Sequence, residues 1–307
     1  MINKIIGFRF SNDCFGASAL SLFRRPQSRH SSLLALALIS TISLTGLTAA
    51  FTPALAGEVT VRATYKINAP IGSGKFQFAS AQDGKRYKMQ GAAKFKAFLG
   101  FFKWNSSVAS NGYMSSKQPK PYIYAFKARS DEKSEVIRLN FKGNKVKEIR
   151  AIPPTRPHPK RVSVRDEHLR NVVDPLSAVM AFTDPNPSLT NGSHACNRKI
   201  RIFDGRQRFN VVLSYKRKDY AELSNGKSRT AFVCRAKYTP IAGHKMNQTV
   251  KYMSSSKGLE VWLVPLPKMK MYVPYKIVIP IMIGTASAEL VNFRVTDPKA
   301  GVIALAK

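Results

Sequence analysis

Short stretches in which apolar and polar residues alternate dominate the sequence beyond residue 57, and this period of two constrains the fold most. The clearest stretches lie at 59–67 and 209–215. Because successive side chains of a strand point to opposite faces of a sheet, the alternation predicts strands with one buried face. Weaker alternation is found in six further stretches, at 75–80, 86–92, 122–128, 135–141, 145–151 and 286–295.

Turn-forming pairs separate these stretches at intervals of about ten residues, as in a long antiparallel meander. Such pairs tolerate positive φ and close hairpins. The sequence therefore predicts a mainly β fold, a strongly curved antiparallel sheet or half-barrel with one or two short helices. The pairs are Asp83-Gly84, Asn111-Gly112, Gly143-Asn144, Asp204-Gly205, Asn225-Gly226 and Lys257-Gly258.

One segment, at 174–183, has the pattern of a helix. Asp174 suits the N-cap and Pro175 the first helical position. The preceding residues 166–173 are expected to form a separate short turn or helix. The apolar face of the helix would carry Leu176, Val179 and Met180.

A basic, proline-rich connector at 153–159 divides the sequence into possible halves at 57–152 and 160–307. Neither half has a complete strand pattern alone. We therefore expect a single β-rich domain over 57–307, crossed by the predicted helix, with two separate domains as the alternative.

Residues 1–56 have the pattern of an export signal. The first thirty residues carry five basic side chains and one acid, whereas 31–57 are uncharged and apolar, ending in the small residues of Ala54-Leu55-Ala56. This order predicts a secretory signal peptide cleaved after Ala56, and hence a periplasmic protein. The alternative, an uncleaved membrane anchor, also places the remainder outside the cytoplasm.

The chain is strongly basic, with 50 Lys and Arg against 17 Asp and Glu. Without the leader, 45 basic and 16 acidic residues remain, a net charge of +29. Nucleic acid is the usual partner of such a charge, but export argues against it. The anionic partners outside the inner membrane are envelope lipids, lipopolysaccharide and cell-wall polymers. The alternative is a solvated basic surface without a partner.

Three cysteines are present, and Cys14 lies in the predicted leader. Cys196 and Cys234 remain, an even pair in an oxidising compartment, which favours a structural disulfide. The alternative, a reactive thiol pair, normally has Cys-x-x-Cys spacing, which is absent here.

No pattern of catalytic or metal-binding residues emerges. The histidines lack metal-ligand spacing, there is no Gly-x-Ser-x-Gly motif, and the acids are scattered. Gly72-Ser73-Gly74 is a turn or bulge rather than a phosphate cradle, since no Gly-x-x-x-x-Gly-Lys motif follows. We predict no catalytic, cofactor-binding or metal-binding residue and no enzymatic activity.

Five aromatic residues are concentrated in the ten residues 95–104. Core packing of a strand or helix is one interpretation. The other is an aromatic flap or groove lining for an apolar ligand, formed by Phe98, Phe101, Phe102 and Trp104. Basic side chains beside aromatic ones suit an anionic lipid interface, and the predicted headgroup contacts are Lys94, Lys96 and Lys103.

A second apolar stretch, 262–283, contains four prolines, at 265, 267, 274 and 280. Proline cannot donate to a strand ladder and is usual at sheet edges and bulges. This stretch is therefore predicted not to be a central strand throughout, and to form an edge that leaves a groove open.

Several short motifs, in order, resemble a known family. They are 72–76, 174–178, 204–206, 261–265 and 273–274, with Gly284 beyond. The chain resembles domain-of-unknown-function family 3108 of proteobacterial periplasmic proteins, which implies a periplasmic β-rich protein of unassigned activity. More distantly it is similar to the half-barrels of lipoprotein and lipid carriers, in architecture only.

Together these observations predict an exported, non-enzymatic envelope protein that binds an apolar or amphipathic envelope component, with a peripheral membrane contact. The alternative is a scaffolding protein with a dry core that uses a basic surface on cell wall or lipopolysaccharide. An envelope hydrolase would require a cluster of acidic, His and Ser side chains that the sequence does not indicate.

Overall fold

The computed structural model describes residues 57–115, 118–182, 191–222 and 228–306. The predicted leader and the Asn225-Gly226 turn lie outside this part of the chain. The described residues form fourteen strands in one antiparallel sheet. The strands are β1 (Val59–Ala69), β2 (Gly72–Asp83), β3 (Arg86–Ala97), β4 (Phe102–Met114), β5 (Pro119–Ser130), β6 (Ser134–Lys142), β7 (Lys145–Ile152), β8 (Arg198–Phe203), β9 (Arg208–Glu222), β10 (Ser228–Ala242), β11 (Glu260–Leu266), β12 (Met271–Ile281), β13 (Gly284–Asp297) and β14 (Gly301–Ala306).

The strand order is β7-β6-β5-β4-β3-β2-β1-β13-β12-β11-β10-β9-β8, with β14 paired to β13. Each half of the sequence folds as a meander, and the long-range pairing of β1 with β13 joins the two meanders into one sheet. The predicted mainly β, antiparallel fold is confirmed, and the eight predicted stretches all lie within strands.

The sheet curls without closing into a barrel. In a flat sheet of this width, the edge strands β7 and β8 would lie about 60 Å apart. Here one short segment, 170–173, reaches both edges. Arg170 pairs with Lys145 of β7 and Val173 pairs with Ile202 of β8. The Val173 amide donates to the Arg201 carbonyl over 2.9 Å.

The segment that follows lies inside the curl and fills part of it. A 3₁₀ helix at Ser177–Phe182 contacts β5, β8 and β12. Leu176 and Met180 pack there among Tyr124 and Leu139, in one of the main apolar clusters. Around residues 176–182, the inside of the curled sheet is therefore filled by a packed apolar core.

This segment corrects the predicted helix at 174–183, which is shorter and of 3₁₀ type. The cause is local. The Asp174 carboxylate accepts hydrogen bonds from the Leu176 and Ser177 amides over 2.9 and 2.8 Å, which tightens the first turn. The predicted turn or helix at 166–173 is a 3₁₀ helix at Asp166–Leu169.

Two α-helices occur where no helix was predicted, α1 (Gly192–Cys196) and α2 (Gln248–Ser255). Both start at an asparagine N-cap. The Asn191 side chain accepts from the Ser193 amide over 2.9 Å, and the Asn247 side chain accepts from the Val250 amide over 3.0 Å. None of the described helices is both long and apolar enough to cross a bilayer.

The proline-rich stretch 262–283 is not an edge, which corrects that prediction. It forms β11 and β12, both interior strands of the sheet. Pro265 is opposite Tyr272 of β12 but lies beyond the β10 ladder. Pro274 is opposite Leu263 of β11 but lies outside the β13 ladder. These two prolines are tolerated because each occupies a part of its strand with a ladder on one side only.

Asn111-Gly112 is not a turn either. Both residues lie within β4, at a register shift in its pairing with β5. Neither residue has positive φ, and Gly112 is explained by a close approach of β5, because a Cβ atom there would clash with the Lys120 carbonyl oxygen.

Candidate functional site

Five aromatic side chains from four neighbouring strands lie on one face of the sheet and form what we call the aromatic patch. They surround Ala93 and Ala128, which are buried. Trp104 is 7% exposed, whereas the four phenylalanines are half-buried and offer apolar surface. The patch consists of Phe76 of β2, Phe95 of β3, Phe102 and Trp104 of β4, and Phe126 of β5.

The patch follows from strand alternation and register. Phe95 is directly opposite Trp104, and Phe76 is directly opposite Ala93. The small residues between the rings leave room for them. A Cβ atom on Gly91 would lie 2.8 Å from the Phe76 ring, in the space that the ring now occupies.

The four aromatic residues predicted to line a groove do not share one environment. Phe102 and Trp104 belong to the aromatic patch. Phe98 and Phe101 lie in the turn between β3 and β4 and are 39% and 87% exposed. Phe76, Phe95 and Phe126, which complete the patch, were not among the predicted residues. Phe76 and Phe126 were missed because they lie in strands outside the run 95–104. Only the register of β2–β5 brings them together.

The predicted headgroup residues lie on the opposite face of these strands, because they alternate with the aromatic residues. Lys75 is opposite both Lys66 and Lys94, and Lys96 is opposite Lys103. Like charges in such positions repel each other. All five are exposed and none forms an ion pair within the described chain. We call this set the lysine ladder: Lys66, Lys75, Lys94, Lys96 and Lys103.

Some basic residues of β9–β13 are paired with acidic side chains. Glu260 of β11 accepts hydrogen bonds from Lys216 and Arg217 of β9 and from the Trp262 indole. Burial opposes ionisation of Glu260, but these hydrogen bonds outweigh it and lower its pKa. Lys276 forms an ion pair with Glu289 over 3.4 Å. The lysine ladder therefore differs from the paired charges of β9–β13.

A network of buried polar side chains connects the segment 174–182, which lies inside the curled sheet, to strands β3 and β4. Ser110 of β4 donates to the Asp174 carboxylate over 3.0 Å, and its hydroxyl lies 2.9 Å from that of Ser177. The Tyr87 hydroxyl is 2.8 Å from Ser177. Burial raises the pKa of the Asp174 carboxyl group, although the hydrogen bonds from Ser177 act in the opposite direction and lower it. Within the described chain its partners are hydroxyls and backbone amides, an arrangement suited to anchoring the segment.

His244 is a buried histidine with a structural environment. Its Nε2 lies 3.2 Å from the Arg208 carbonyl oxygen, which can only accept, so Nε2 carries the proton. Nδ1 then accepts from the Tyr238 hydroxyl over 3.2 Å. Burial lowers the pKa of His244 from 6.5 to about 4, and the nearby Arg161 acts in the same direction.

The His244 environment predicts a loss of stability in acid. The unfolded chain binds a proton below pH 6.5, while the folded chain does not until about pH 4. The free energy of unfolding should therefore fall by up to about 3 kcal/mol over this window. Urea unfolding between pH 7 and pH 4 measures it, with His244→Gln as the comparison. Equal slopes for both proteins would contradict the assignment.

Neither a metal site nor a deep pocket is found in the described part of the chain near the aromatic patch. No group of three or more His, Cys, Asp or Glu side chains in this part could hold a metal ion. A depression of about 250 Å³ lies near Gln82 and Asp297, at the end of the sheet away from the β3–β4 turn. It is smaller than the ~300–1,000 Å³ of most small-ligand pockets.

The fold and site define a class, an antiparallel β protein with an open, curled sheet and an aromatic patch on one face. The chain belongs to DUF3108, described as a protein family of unknown function, whose family model matches residues 60–291. The resemblance found in the sequence motifs is thereby confirmed.

Comparison with solved structures found a "beta-barrel-like protein of domain of unknown function DUF1849" from Brucella abortus. It is 9% identical, with a TM-score of 0.45, over 79% of this chain and 99% of that chain. Similarity at this level carries no statement about function. The comparison with curated proteins gave no match.

Proposed function

We propose that this chain is an exported, non-enzymatic envelope protein that binds an apolar or amphipathic envelope component on the aromatic patch. The observation that carries the proposal is the patch itself. Four phenylalanine rings from β2–β5 remain half-exposed around a buried tryptophan, on the face of the sheet that elsewhere packs a core.

The energetics favour an apolar ligand. Each further 100 Å² of aromatic surface that a ligand covers would contribute about 2.5 kcal/mol. A set of rigid rings also loses little side-chain entropy on binding, because each ring has only two rotatable bonds. An acyl chain has the shape and chemistry to lie across such a surface.

The predicted export signal supports the choice of ligand. A protein outside the inner membrane meets envelope lipids, lipopolysaccharide and cell-wall polymers rather than nucleic acid. Of these, lipids and lipopolysaccharide combine acyl chains with anionic groups, which matches an aromatic patch beside a net charge of +29 on residues 57–307. Cleavage after Ala56 and periplasmic location remain predictions.

A second candidate function is scaffolding, with a basic surface on cell wall or lipopolysaccharide. The five exposed side chains of the lysine ladder, which form no ion pair within the described chain, favour it. It predicts binding that weakens steeply with salt and does not depend on the aromatic patch. The affinity of an apolar ligand for the aromatic patch should instead change little between 50 mM and 500 mM NaCl.

A dye that fluoresces in apolar surroundings tests the proposal. We expect N-phenyl-1-naphthylamine to bind, and Phe102→Ala to weaken binding at least fivefold because a ring of the patch is lost. Phe95→Ala/Phe102→Ala should abolish it. Far-UV circular dichroism would verify that the variants are folded.

The matched control is Phe182→Ala, a half-buried phenylalanine that packs in other clusters. The Phe182→Ala variant should lose about as much folding stability as Phe102→Ala does, but it should still bind the dye. Equal weakening by Phe182→Ala and Phe102→Ala, or no dye binding by the folded wild-type protein, would contradict the proposal.

A further inference from the structure

We propose that one rim of the sheet docks the protein on an anionic lipid bilayer, with an apolar hairpin tip inserted and the lysine ladder against the headgroups. The inference rests on the proposed function for the location of the protein in the envelope. Its surface is separate from the aromatic patch.

The turns at 70–71, 98–101 and 282–283 meet at this rim, because they connect neighbouring antiparallel strands at the same end. The β5–β6 turn at 131–133 lies at that end too, and its Asp131 carboxylate accepts a hydrogen bond from the Lys103 amide over 3.0 Å. The Phe98 amide donates to the Ile71 carbonyl over 3.0 Å. A Cβ atom on Gly284 would lie 3.0 Å from Pro70. The β1–β2 turn thus contacts the turns on both sides, and the three form one continuous rim.

The rim exposes large apolar side chains. Leu99 is fully exposed and Phe101 is 87% exposed, while Met282 and Ile283 are each 41% exposed. Neighbouring exposed apolar residues at the edge of a basic surface mark an interaction site more often than scattered ones do. The rim is therefore suited to a partner that can take up apolar side chains.

The backbone of the hairpin tip is also unusual. Phe98 and Leu99 have φ values of 51° and 56°, and Gly100 follows at 96°. The left-handed region is unfavourable for bulky side chains. In the described chain Leu99 gains no burial in return, since it is fully exposed. Strained residues cluster at binding sites, where the strain holds a required geometry.

The lysine ladder lies just below the apolar tip. Lys96 and Lys103 flank the turn, each within two residues of a strand end. Lys66, Lys75 and Lys94 each lie three residues from the end of their strand at the rim, which is about 10 Å along a strand. The exposed Leu99 and Phe101 side chains would lie in the acyl region of an anionic bilayer, and the lysine ladder behind them would lie in its headgroup region.

Charge and polarity select the bilayer over other partners. A cell-wall polymer would neutralise the lysines but leave Leu99 and Phe101 in water. A second copy of the chain would bring two lysine ladders together, which is unfavourable. Docking would also bring Phe102, the first residue of β4 and part of the aromatic patch, to the bilayer surface.

Co-sedimentation with vesicles tests the inference, using protein made from the full-length gene and purified without detergent. We expect binding to vesicles of 30% phosphatidylglycerol in phosphatidylcholine, weaker binding in 500 mM NaCl, and little binding to phosphatidylcholine alone. Leu99→Ser/Phe101→Ser should weaken binding at least tenfold without unfolding, because both side chains are exposed. Lys96→Gln/Lys103→Gln should weaken it at least threefold.

Two controls match these changes. Tyr220→Ser/Val302→Ser removes two apolar side chains that are 57% and 53% exposed elsewhere. Lys199→Gln/Lys237→Gln removes two exposed lysines from β8 and β10. Both controls should bind as the wild type does.

The inference is overturned if the wild type does not bind anionic vesicles, if it binds only lipopolysaccharide or cell wall, or if the controls lose as much affinity as the rim variants. Dye binding by the same preparations separates the two proposals. Dye binding without vesicle binding refutes the rim alone, whereas vesicle binding without dye binding refutes the aromatic patch alone.

Discussion

Replacing Cys196 and Cys234 together by alanine is expected to lower the free energy of unfolding by about 4 kcal/mol. The two residues form the predicted disulfide, they are 38 positions apart, and both are fully buried. The bridge ties α1 to β10 across β9, so its loss frees a loop containing β8 and β9 in the unfolded chain. Urea unfolding of the oxidised wild type and of the double variant measures the difference.

Thiol titration provides the control. Protein without the leader should show no free thiol until it is denatured and reduced. A chain that retains residues 1–56 should show one, from Cys14. Two titratable thiols in denatured, unreduced protein that lacks the leader would contradict the bridge, and so would a double variant as stable as the wild type.

Asp174→Ala is expected to lower the free energy of unfolding by about 3 kcal/mol. The carboxylate is fully buried and accepts from two backbone amides and the Ser110 hydroxyl, and the variant leaves these donors without it. Asp174→Asn should cost less, because its amide oxygen can still accept from the Leu176 and Ser177 amides. Denaturant unfolding at pH 7 compares the two variants.

The pH dependence gives a second readout at this residue. Because burial raises the Asp174 pKa, the folded state keeps its proton to higher pH than the unfolded state does. The contribution of this carboxyl to stability therefore declines as pH rises above 3.8, and Asp174→Asn should remove the decline. Asp166→Ala, at an exposed acid paired with Lys145 and Arg170, should change stability little. Equal effects of Asp174→Ala and Asp166→Ala would refute the anchoring role.

Much of the fold could be predicted from local sequence. Alternation identified eight strands because a sheet with one buried face imposes a period of two. It did not identify β10 and β11, because parts of both strands are buried on both faces and carry continuous apolar runs, as at 231–234 of β10. The pairing of β1 with β13 joins residues more than 200 positions apart, and no local pattern encodes that contact.

The candidate site was predictable only in part, for the same reason. The run at 95–104 attracted attention as a unit, but strand alternation and the turn divide it among the aromatic patch, the hairpin tip and the opposite face. Phe126 belongs to the aromatic patch and Lys66 to the lysine ladder only because of the way the strands pair, which the local sequence does not show. Leu99 was overlooked because its exposure depends on the left-handed turn.

Lipid mass spectrometry on the protein purified from the periplasm without detergent tests the central claim most directly. The proposal predicts a defined acyl-chain compound at a fixed ratio to wild-type protein, retained by Phe182→Ala and lost from Phe95→Ala/Phe102→Ala. A folded, monodisperse wild-type protein that carries no such compound and takes none up from envelope lipid extracts would contradict it.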